Sequence, residues 1–185
     1  MFVEAEVWNV AHTDQGYAVL LKPVGTDAAV PIFVGQLEAQ SILIGLGDIP
    51  MPRPNTHDLF LEGLGRTGCL LKKIEITEIK EGIFYSSIYL SSSNGTVSLD
   101  SRPSDSVALA VRAGCPIFIS EEIIDEAGVS IQFINEKNSG PESELHSRKI
   151  QLEKELDEAV KLEHYEDAAN LRDKIKRIED ELNSN

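Results

Sequence analysis

The chain has 185 residues, enough for one domain of ordinary size with an accessory element. Hydrophobic residues make up 42% of it, which argues against disorder, and no apolar run approaches the roughly 18 residues of a membrane span. Its 31 acidic and 17 basic residues give a net charge of −14, which excludes the broad basic surface of a tight nucleic-acid binder. Any action on nucleic acid must therefore use a local basic spot or a bridging cation.

The first part of the chain repeats one pattern of elements after 67 positions, without a gap. Alternating apolar residues and turn sequences predict three strands and a helix in the first copy, at 3–10, 17–23, 29–34 and 36–46. They predict the same elements in the second copy, at 69–79, 83–92, 96–101 and 104–113. The pattern favours a duplicated β-β-β-α unit. Identity between the copies is low, so chance similarity of two such patterns is the alternative.

Further elements are predicted between and after the copies. The sequence "RPNTHDLFLEGLGRTG", starting at Arg53, predicts a helix that its glycines end. After the second copy come a short strand "PIFIS", a helix "EEIIDEAG" and a last strand "VSIQFI". Many short strands with few helices indicate an α+β fold with an antiparallel or mixed sheet.

A change of composition divides the chain. The polar stretch around Gly140 and Pro141 predicts a linker at 136–144, which separates a domain at 1–135 from a charged segment at 145–185. Apolar residues recur there at helical spacing, first at Leu152, Leu156, Ala159 and Leu162, then at Ala168, Leu171, Ile175 and Ile178. This predicts a helical hairpin over about 145–182. Because a hairpin of this size buries little surface alone, we expect a homodimer or docking on a protein partner.

The cysteines and the start of the chain bear on localisation. Cys69 and Cys115 lie far apart in apolar segments, which favours reduced, buried thiols over a disulfide or a metal pair. The first residues, MFVEAEVW, lack the basic region and the cleavage site of a signal peptide. These features predict a cytoplasmic protein that does not associate with membranes.

Two carboxylates occupy equivalent places in the two copies. The 67-residue shift aligns Glu38 with Asp105, and both fall early in the helix that follows the third strand. A carboxylate there stabilises the helix dipole, so a purely structural role explains both residues. The functional alternative is that twofold symmetry brings carboxylates together around a divalent cation, for which oxygen ligands suit Mg²⁺ or Mn²⁺.

The sequence "RPNTHDL" offers further groups for chemistry. His57 could act as a general acid or base, Asp58 as a metal ligand and Arg53 as a phosphate ligand. Arg102, like Arg53, precedes a proline, which holds it in an extended conformation and can direct a guanidinium across the start of a helix. The structural alternatives are that Asp58 complements a helix dipole, that His57 faces solvent, and that each Arg-Pro pair ends a strand.

Three segments resemble a known family. "VPIFVGQLEAQSI", "RPNTHDL" and "DSRPSDSVALAVR" are similar to the bifunctional nuclease domain, first catalogued as a domain of unknown function, over about residues 1–135. "LEKELDEAVKLEHYEDAANLRDKIKRIE" resembles the UVR motif of excision-repair proteins and Clp-protease adaptors, where it makes protein–protein contacts. His164 and Tyr165 stand where that motif commonly has Asp and Phe.

The resemblance implies a nuclease, a phosphodiester hydrolase, that acts on RNA or DNA. Residues within the matching motifs then become candidates for the site: Arg53, His57, Asp58, Arg102 and Asp105 for catalysis, and Glu38, Asp58 and Asp105 for a Mg²⁺ or Mn²⁺ ion. In this hypothesis Arg53 and Arg102 hold the scissile phosphate. The alternative is a non-enzymatic regulatory or scaffold protein that recruits a repair or Clp-type partner through its UVR hairpin.

Overall fold

The computed structural model describes residues 1–13, 15–93, 95–138, 152, 155–156 and 164–182. Within it the chain separates into two compact units, residues 1–131 and 132–185. None of the helices that the structure describes is long and apolar enough to cross a membrane.

The first unit is an α+β structure in which two β-β-β-α segments follow each other. The strands and helix of the first segment are β1 (Phe2–Thr13), β2 (Gly16–Pro23), β3 (Ala28–Val34) and α1 (Gln36–Leu46). Helix α2 (Thr56–Arg66) connects it to the second, which consists of β4 (Leu70–Lys80), β5 (Ile83–Ser92), β6 (Gly95–Ser101) and α3 (Pro103–Ala113). The elements that close the unit or follow it are β7 (Ile117–Ser120), α4 (Glu121–Ala127), β8 (Val129–Ser130) and α5 (Ile131–Asn138). The duplicated order of elements is as predicted.

The eight strands form one mixed sheet in the order β6-β5-β4-β7-β1-β2-β3-β8. Strand β7 runs parallel to β4 and antiparallel to β1, and every other neighbouring pair is antiparallel. Strands β1 and β4 therefore run in opposite directions on either side of β7. This is the relation expected of two equivalent units about a twofold axis perpendicular to the sheet.

The strand pairing shows how far the 67-residue repeat extends. Leu21 pairs with Val7, and the equivalent Ile88 pairs with Ile74. The third strands differ: Val34 pairs with Tyr17, but the equivalent Ser101 pairs with Ser86 rather than Phe84. A difference of two residues keeps every side chain of the third strand on its original face of the sheet. The burial of the two third strands differs, because β3 has buried side chains whereas β6 is exposed along nearly all its length.

The core lies between the sheet and the helices. Helix α1 packs on α3, α2 packs on α3 and β4, and α3 packs on β4 and β5. The fully buried side chains of the core are mostly β-branched, which on the strands suits the pleated surface of the sheet. They include Val19, Val30, Ile74, Ile76 and Ile119 on the strands and Ile42 on α1. Both cysteines are free and partly buried.

Two regions near the end of the first unit differ from the prediction. Strand β8 contains only Val129 and Ser130, which pair with Ala29 and Ala28, and the chain turns helical from Ile131. A short apolar run such as "VSIQFI" is compatible with a strand or with a helix. Here only its first two residues pair with a neighbouring strand. Helix α5 continues to Asn138, so residues 136–138 of the predicted linker are helical.

The second unit is described only in part. A helix covers Tyr165–Leu182, and its least exposed described side chains are Leu171, Ile175 and Ile178, which belong to the predicted apolar stripe. Residues 152, 155 and 156 are helical. The rest of the predicted first helix of the hairpin, like most of the predicted linker, lies outside the described residues.

Candidate active site

The first turns of three helices supply the polar residues of the candidate site. Glu38, Asp58 and Asp105 each occupy the third position of a helix, in α1, α2 and α3 respectively. Each is placed where the exposed amides of the first turn stabilise a negative charge. Contacts between the side chains of these turns then decide which residues share a site.

Arg102 links the starts of α1 and α3. It is the N-cap of α3, and Pro103 holds it in an extended conformation with φ −71° and ψ 144°. Its guanidinium donates to both oxygens of Asp105, from Nε at 2.8 Å and from Nη2 at 3.2 Å, and from Nη1 to Glu38 at 3.2 Å. These two carboxylates, Asp105 first, raise the pKa of Arg102. The Arg102 side chain is 67% exposed, so it can leave this position at little cost.

Gly35 makes the position of Glu38 possible. The Glu38 carboxylate folds back over Gly35, the N-cap of α1, into the space that a Cβ atom would fill. Any larger residue at this position would push Glu38 away from Arg102. The segment "VPIFVGQLEAQSI" therefore includes a glycine that leaves room for the carboxylate of a candidate site residue.

His57 joins α2 to the same cluster. Its Nε2 lies 3.5 Å from Asp105 Oδ1, and its Nδ1 lies 3.0 Å from the Ser41 hydroxyl on α1. Because an ionised carboxylate only accepts, the proton of a neutral His57 belongs on Nε2, and Nδ1 then accepts from Ser41. The ring is thus a proton acceptor on one side and faces a stabilising carboxylate on the other, which is the arrangement that a general base requires.

Asp58 is held by a different arginine. Its Oδ2 accepts from the Asn55 amide at 2.8 Å, as part of a capping box, and its Oδ1 accepts from Arg112 Nε at 2.8 Å. Partial burial acts to raise the pKa of Asp58, but the Asn55 amide and Arg112 outweigh it, so the pKa lies below its ordinary value. Asp58 therefore connects α2 to α3 through its ion pair with Arg112.

Arg53 lies on a groove beside the cluster rather than within it. The groove has a volume of about 770 Å³ and is bordered by Arg53, Asp58 and Arg112. In the described part of the chain, Arg53 forms no hydrogen bond or ion pair. The six predicted residues therefore fall into two adjoining groups: Glu38, His57, Arg102 and Asp105 are in contact, while Asp58 and Arg53 border the groove.

The predicted metal site can be compared with this geometry. The described residues contain no group of three or more His, Cys, Asp or Glu side chains arranged to hold a metal ion. Glu38 and Asp105 do share one positive charge, that of Arg102, so the two carboxylates are already arranged around a cation. They could hold a divalent ion if Arg102 moved away, whereas both oxygens of Asp58 are occupied.

Two residues of the site were missed at the level of sequence. Ser41 lies in the middle of α1, and Arg112 lies in the last turn of α3, where a basic residue merely complements the helix dipole. The 67-residue shift could have indicated Arg112, since it aligns Arg112 with Gly45. Where two equivalent helices pack closely, a large side chain on one needs a residue without a side chain on the other. Gly45 on α1 and Arg112 on α3 form such a pair.

Comparisons with known proteins identify the two parts of the chain. Residues 19–132 match the bifunctional nuclease domain, and residues 147–181 match the UvrB/uvrC motif. An uncharacterised protein of Mycobacterium tuberculosis is 36% identical over 113 residues, which cover 61% of this chain and 67% of the relative. Bifunctional nuclease 1 of Oryza sativa subsp. japonica is 28% identical over 178 residues, covering 86% of this chain and 54% of the relative.

Bifunctional nuclease 2 of Arabidopsis thaliana is 23% identical over 182 residues, covering 88% of this chain and 55% of the relative. The chain thus spans about half the length of these plant relatives. The domain match includes Glu38, Arg53, His57, Asp58, Arg102 and Asp105, together with Ser41 and Arg112. With more than half of its length matching that domain, the chain belongs to the bifunctional nuclease domain family.

Proposed function

We propose that this protein is a metal-dependent nuclease that hydrolyses phosphodiester bonds of RNA or DNA, and that the cluster of Glu38, Ser41, His57, Arg102 and Asp105 carries the reaction. The observation that supports this most directly is His57 held between Ser41 and Asp105, beside an exposed arginine. The cluster combines a base, a carboxylate behind it and a phosphate ligand, which are the parts that hydrolysis needs.

Arg102 binds the scissile phosphate in this proposal. It is exposed, and phosphate competes well for a guanidinium because the pairing can be bidentate. When Arg102 turns to the substrate, Glu38 and Asp105 are left facing each other without a counter-charge. A Mg²⁺ or Mn²⁺ ion held by these two carboxylates would supply charge neutralisation at the phosphate.

His57 moves the proton. A water molecule attacks phosphorus and gives up a proton to the Ser41 oxygen, while the Ser41 hydroxyl proton passes to Nδ1 of His57. Asp105, facing Nε2, stabilises the resulting imidazolium. The new P–O bond forms as the bond to the leaving oxygen breaks, and His57 then returns its proton to that oxygen.

Substitution of the cluster tests the proposal. We expect His57→Asn to lower cleavage of single-stranded RNA and DNA by about 100-fold or more, the range of general acid–base catalysis. Asp105→Asn and Glu38→Gln should also raise the Mg²⁺ or Mn²⁺ concentration needed for half-maximal rate, and EDTA should stop cleavage. Glu122→Gln, an exposed acid on α4, is the matched control and should cleave like the wild type. Equal thermal unfolding of all four variants excludes loss of fold.

A scaffold function is the second candidate, and the match of residues 147–181 to the UvrB/uvrC motif favours it. In that case the wild type would cleave no nucleic acid with either metal, and substitutions in the cluster would change nothing measurable. The two free cysteines are compatible with a cytoplasmic setting for either function, which we include in the proposal.

A further inference from the structure

The groove beside the cluster has the size and lining of a ligand site. Its volume of about 770 Å³ lies within the range of small-molecule pockets. It runs between the C-terminal ends of α1 and α3 and the segment 48–54. Apolar side chains, including Ile49, Met51 and Val111, form much of its surface.

One polar group in its wall lacks a partner. The Arg112 side chain is only 7% exposed; its Nε donates to Asp58 and its Nη1 to the Ala108 carbonyl, each at 2.8 Å. Its Nη2 is buried and has no hydrogen-bond partner. In a guanidinium, Nη2 lies on the same edge as Nε, which here donates to Asp58. A buried donor is costly to leave unpaired, and a ligand acceptor would satisfy it if the Arg112 side chain turned toward the groove that it borders.

Gly45 keeps the place of this guanidinium open. A Cβ atom at Gly45 would lie 2.8 Å from Arg112 Nη1 and 2.7 Å from Val111 Cγ2, both too close. The absence of a side chain at Gly45 therefore lets the Arg112 guanidinium lie against α1 while it pairs with Asp58 of α2.

The ion pairs around the groove leave Arg53 available to bind an anion. Asp58 is paired with Arg112, and Glu62 is paired with Arg66, so these two acids are neutralised. Arg53 is exposed at the rim and has no partner among the described residues, while Asp48 also borders the groove. The groove thus offers a surface of mixed polar and apolar character, a buried donor, and the separate positive charge of Arg53.

We propose that this groove binds one unpaired nucleotide of a single strand, with the base against Met51 and Ile49, a base carbonyl or ring nitrogen at Arg112 and a phosphate at Arg53. This rests on the proposed function. A base presents an apolar face and acceptors along its edge, and the phosphate follows at the sugar. The groove accepts a base only when that base is unstacked and unpaired, so the substrate is single-stranded.

The position of the groove suits a nucleotide near the scissile bond. Arg112 and Asp105 lie seven residues apart on α3, about 10 Å at the rise of an α-helix. His57 and Asp58 are adjacent in α2: His57 contacts Asp105 in the cluster, and Asp58 contacts Arg112 beside the groove. A strand bound in the groove is therefore led directly to the cluster.

Binding measured without cleavage tests the inference. A fluorescein-labelled twelve-nucleotide thymidine strand is titrated with the full chain in EDTA and followed by fluorescence anisotropy. We expect Arg53→Gln to weaken binding about tenfold and to lower the slope of log affinity against log salt by about 0.7, the value for one phosphate contact to a single strand. Lys72→Gln removes the same charge from an exposed position on β4 and should bind like the wild type.

Two further ligands separate base from phosphate. An abasic strand of equal length carries the same phosphates, and we expect it to bind at least tenfold more weakly than the thymidine strand. A duplex of the same length should bind more weakly as well. Met51→Ala should reduce the difference between the thymidine and abasic strands. Equal binding of thymidine and abasic strands, or equal affinities of Arg53→Gln and Lys72→Gln, would overturn the inference.

These measurements also distinguish the two proposals. If His57→Asn abolishes cleavage but Arg53→Gln does not affect binding, the groove inference fails and the nuclease proposal stands. If the wild type cleaves nothing but binds the strand through Arg53, the nuclease proposal fails and the groove is a nucleotide site of a binding protein.

Discussion

The Asp58 carboxylate accepts hydrogen bonds from groups at the start of α2 and on α3. As a residue in the first turn of a helix beside a histidine, it is a reasonable metal ligand. In the folded chain both of its oxygens are occupied, by the Asn55 amide and by Arg112. Its ionised form is therefore stabilised by the fold, which makes its contribution measurable as a function of pH.

We predict that Asp58 stabilises the protein above its ordinary pKa of 3.8 and ceases to do so as the pH falls through its lower folded-state value. The sign follows because the unfolded chain binds the proton more readily than the folded chain. Asp58→Asn should therefore lower the free energy of unfolding by about 1 kcal/mol at pH 6, a small value because the side chain is 36% exposed. The difference between wild type and variant should shrink as the pH falls below 3.8 and through the lower folded-state pKa. A constant difference across that range would contradict the prediction.

At Cys115 burial determines the direction in which the pKa shifts. Loss of water around its thiol raises the pKa to about 11, against an ordinary value of 9.0. At pH 8 only about one thiol in a thousand is then the reactive thiolate. We predict that iodoacetamide modifies Cys115 about a hundredfold more slowly in the folded protein than in guanidinium, measured by mass spectrometry of its peptide. Equal rates in the two states would show that the thiol is accessible.

At the scale of elements, the end of α3 depends on backbone conformation alone. Gly114 follows α3 with φ 61°, the left-handed region that glycine adopts freely, and a Cβ atom there would meet nothing within 4 Å. We predict that Gly114→Ala lowers stability by about 1 kcal/mol through backbone strain. Gly63→Ala, inside α2 and equally free of contacts, is the control, and it should raise stability by up to about 1 kcal/mol. If both variants changed the free energy of unfolding in denaturant by the same amount, backbone strain at position 114 would not be the cause.

The elements themselves were largely predictable from sequence. Period-two and period-3.6 patterns interrupted by glycine-rich turns placed the first three strands and α1, and the 67-residue shift carried them over to the second copy. The prediction was wrong at residues 131–134, because a six-residue apolar run contains no information about which strand edge is free. Pairing with β3 ends after Ser130, and helix replaces strand.

The contacts of the site were less predictable, since they depend on side chains from three helices. The motifs identified Arg102 and Asp105, whose contact is local. They could not show that His57 would meet Ser41, sixteen residues away, or that Asp58 would meet Arg112, fifty-four residues away. Both contacts arise only when α1 and α2 pack on α3.

At the scale of the whole molecule, the duplication explains why the site is asymmetric. The helices α1 and α3 are equivalent and pack on each other, so equivalent residues lie near one another. Glu38 and Asp105 both contact Arg102, and Gly45 makes room for Arg112. The 67-residue shift aligns Arg102 with Gly35 and Arg112 with Gly45, so both arginines belong to the second copy. The two equivalent helices therefore carry different side chains at equivalent positions, and the site that they form is asymmetric.

The second unit provides the last prediction. Residues 1–131 form a compact unit with its own core, and the least exposed described side chains of the helix Tyr165–Leu182, those of Leu171, Ile175 and Ile178, lie on one apolar stripe. We predict that the full chain is a homodimer held by residues 145–182, and that a chain ending at Asn138 is a folded monomer. Light scattering should give about twice 20.4 kDa for the full chain at micromolar concentration. The shorter chain should unfold cooperatively and retain strand binding through Arg53. A monomeric full chain would contradict the dimer, and loss of cooperative unfolding in the shorter chain would show that the two parts do not fold independently.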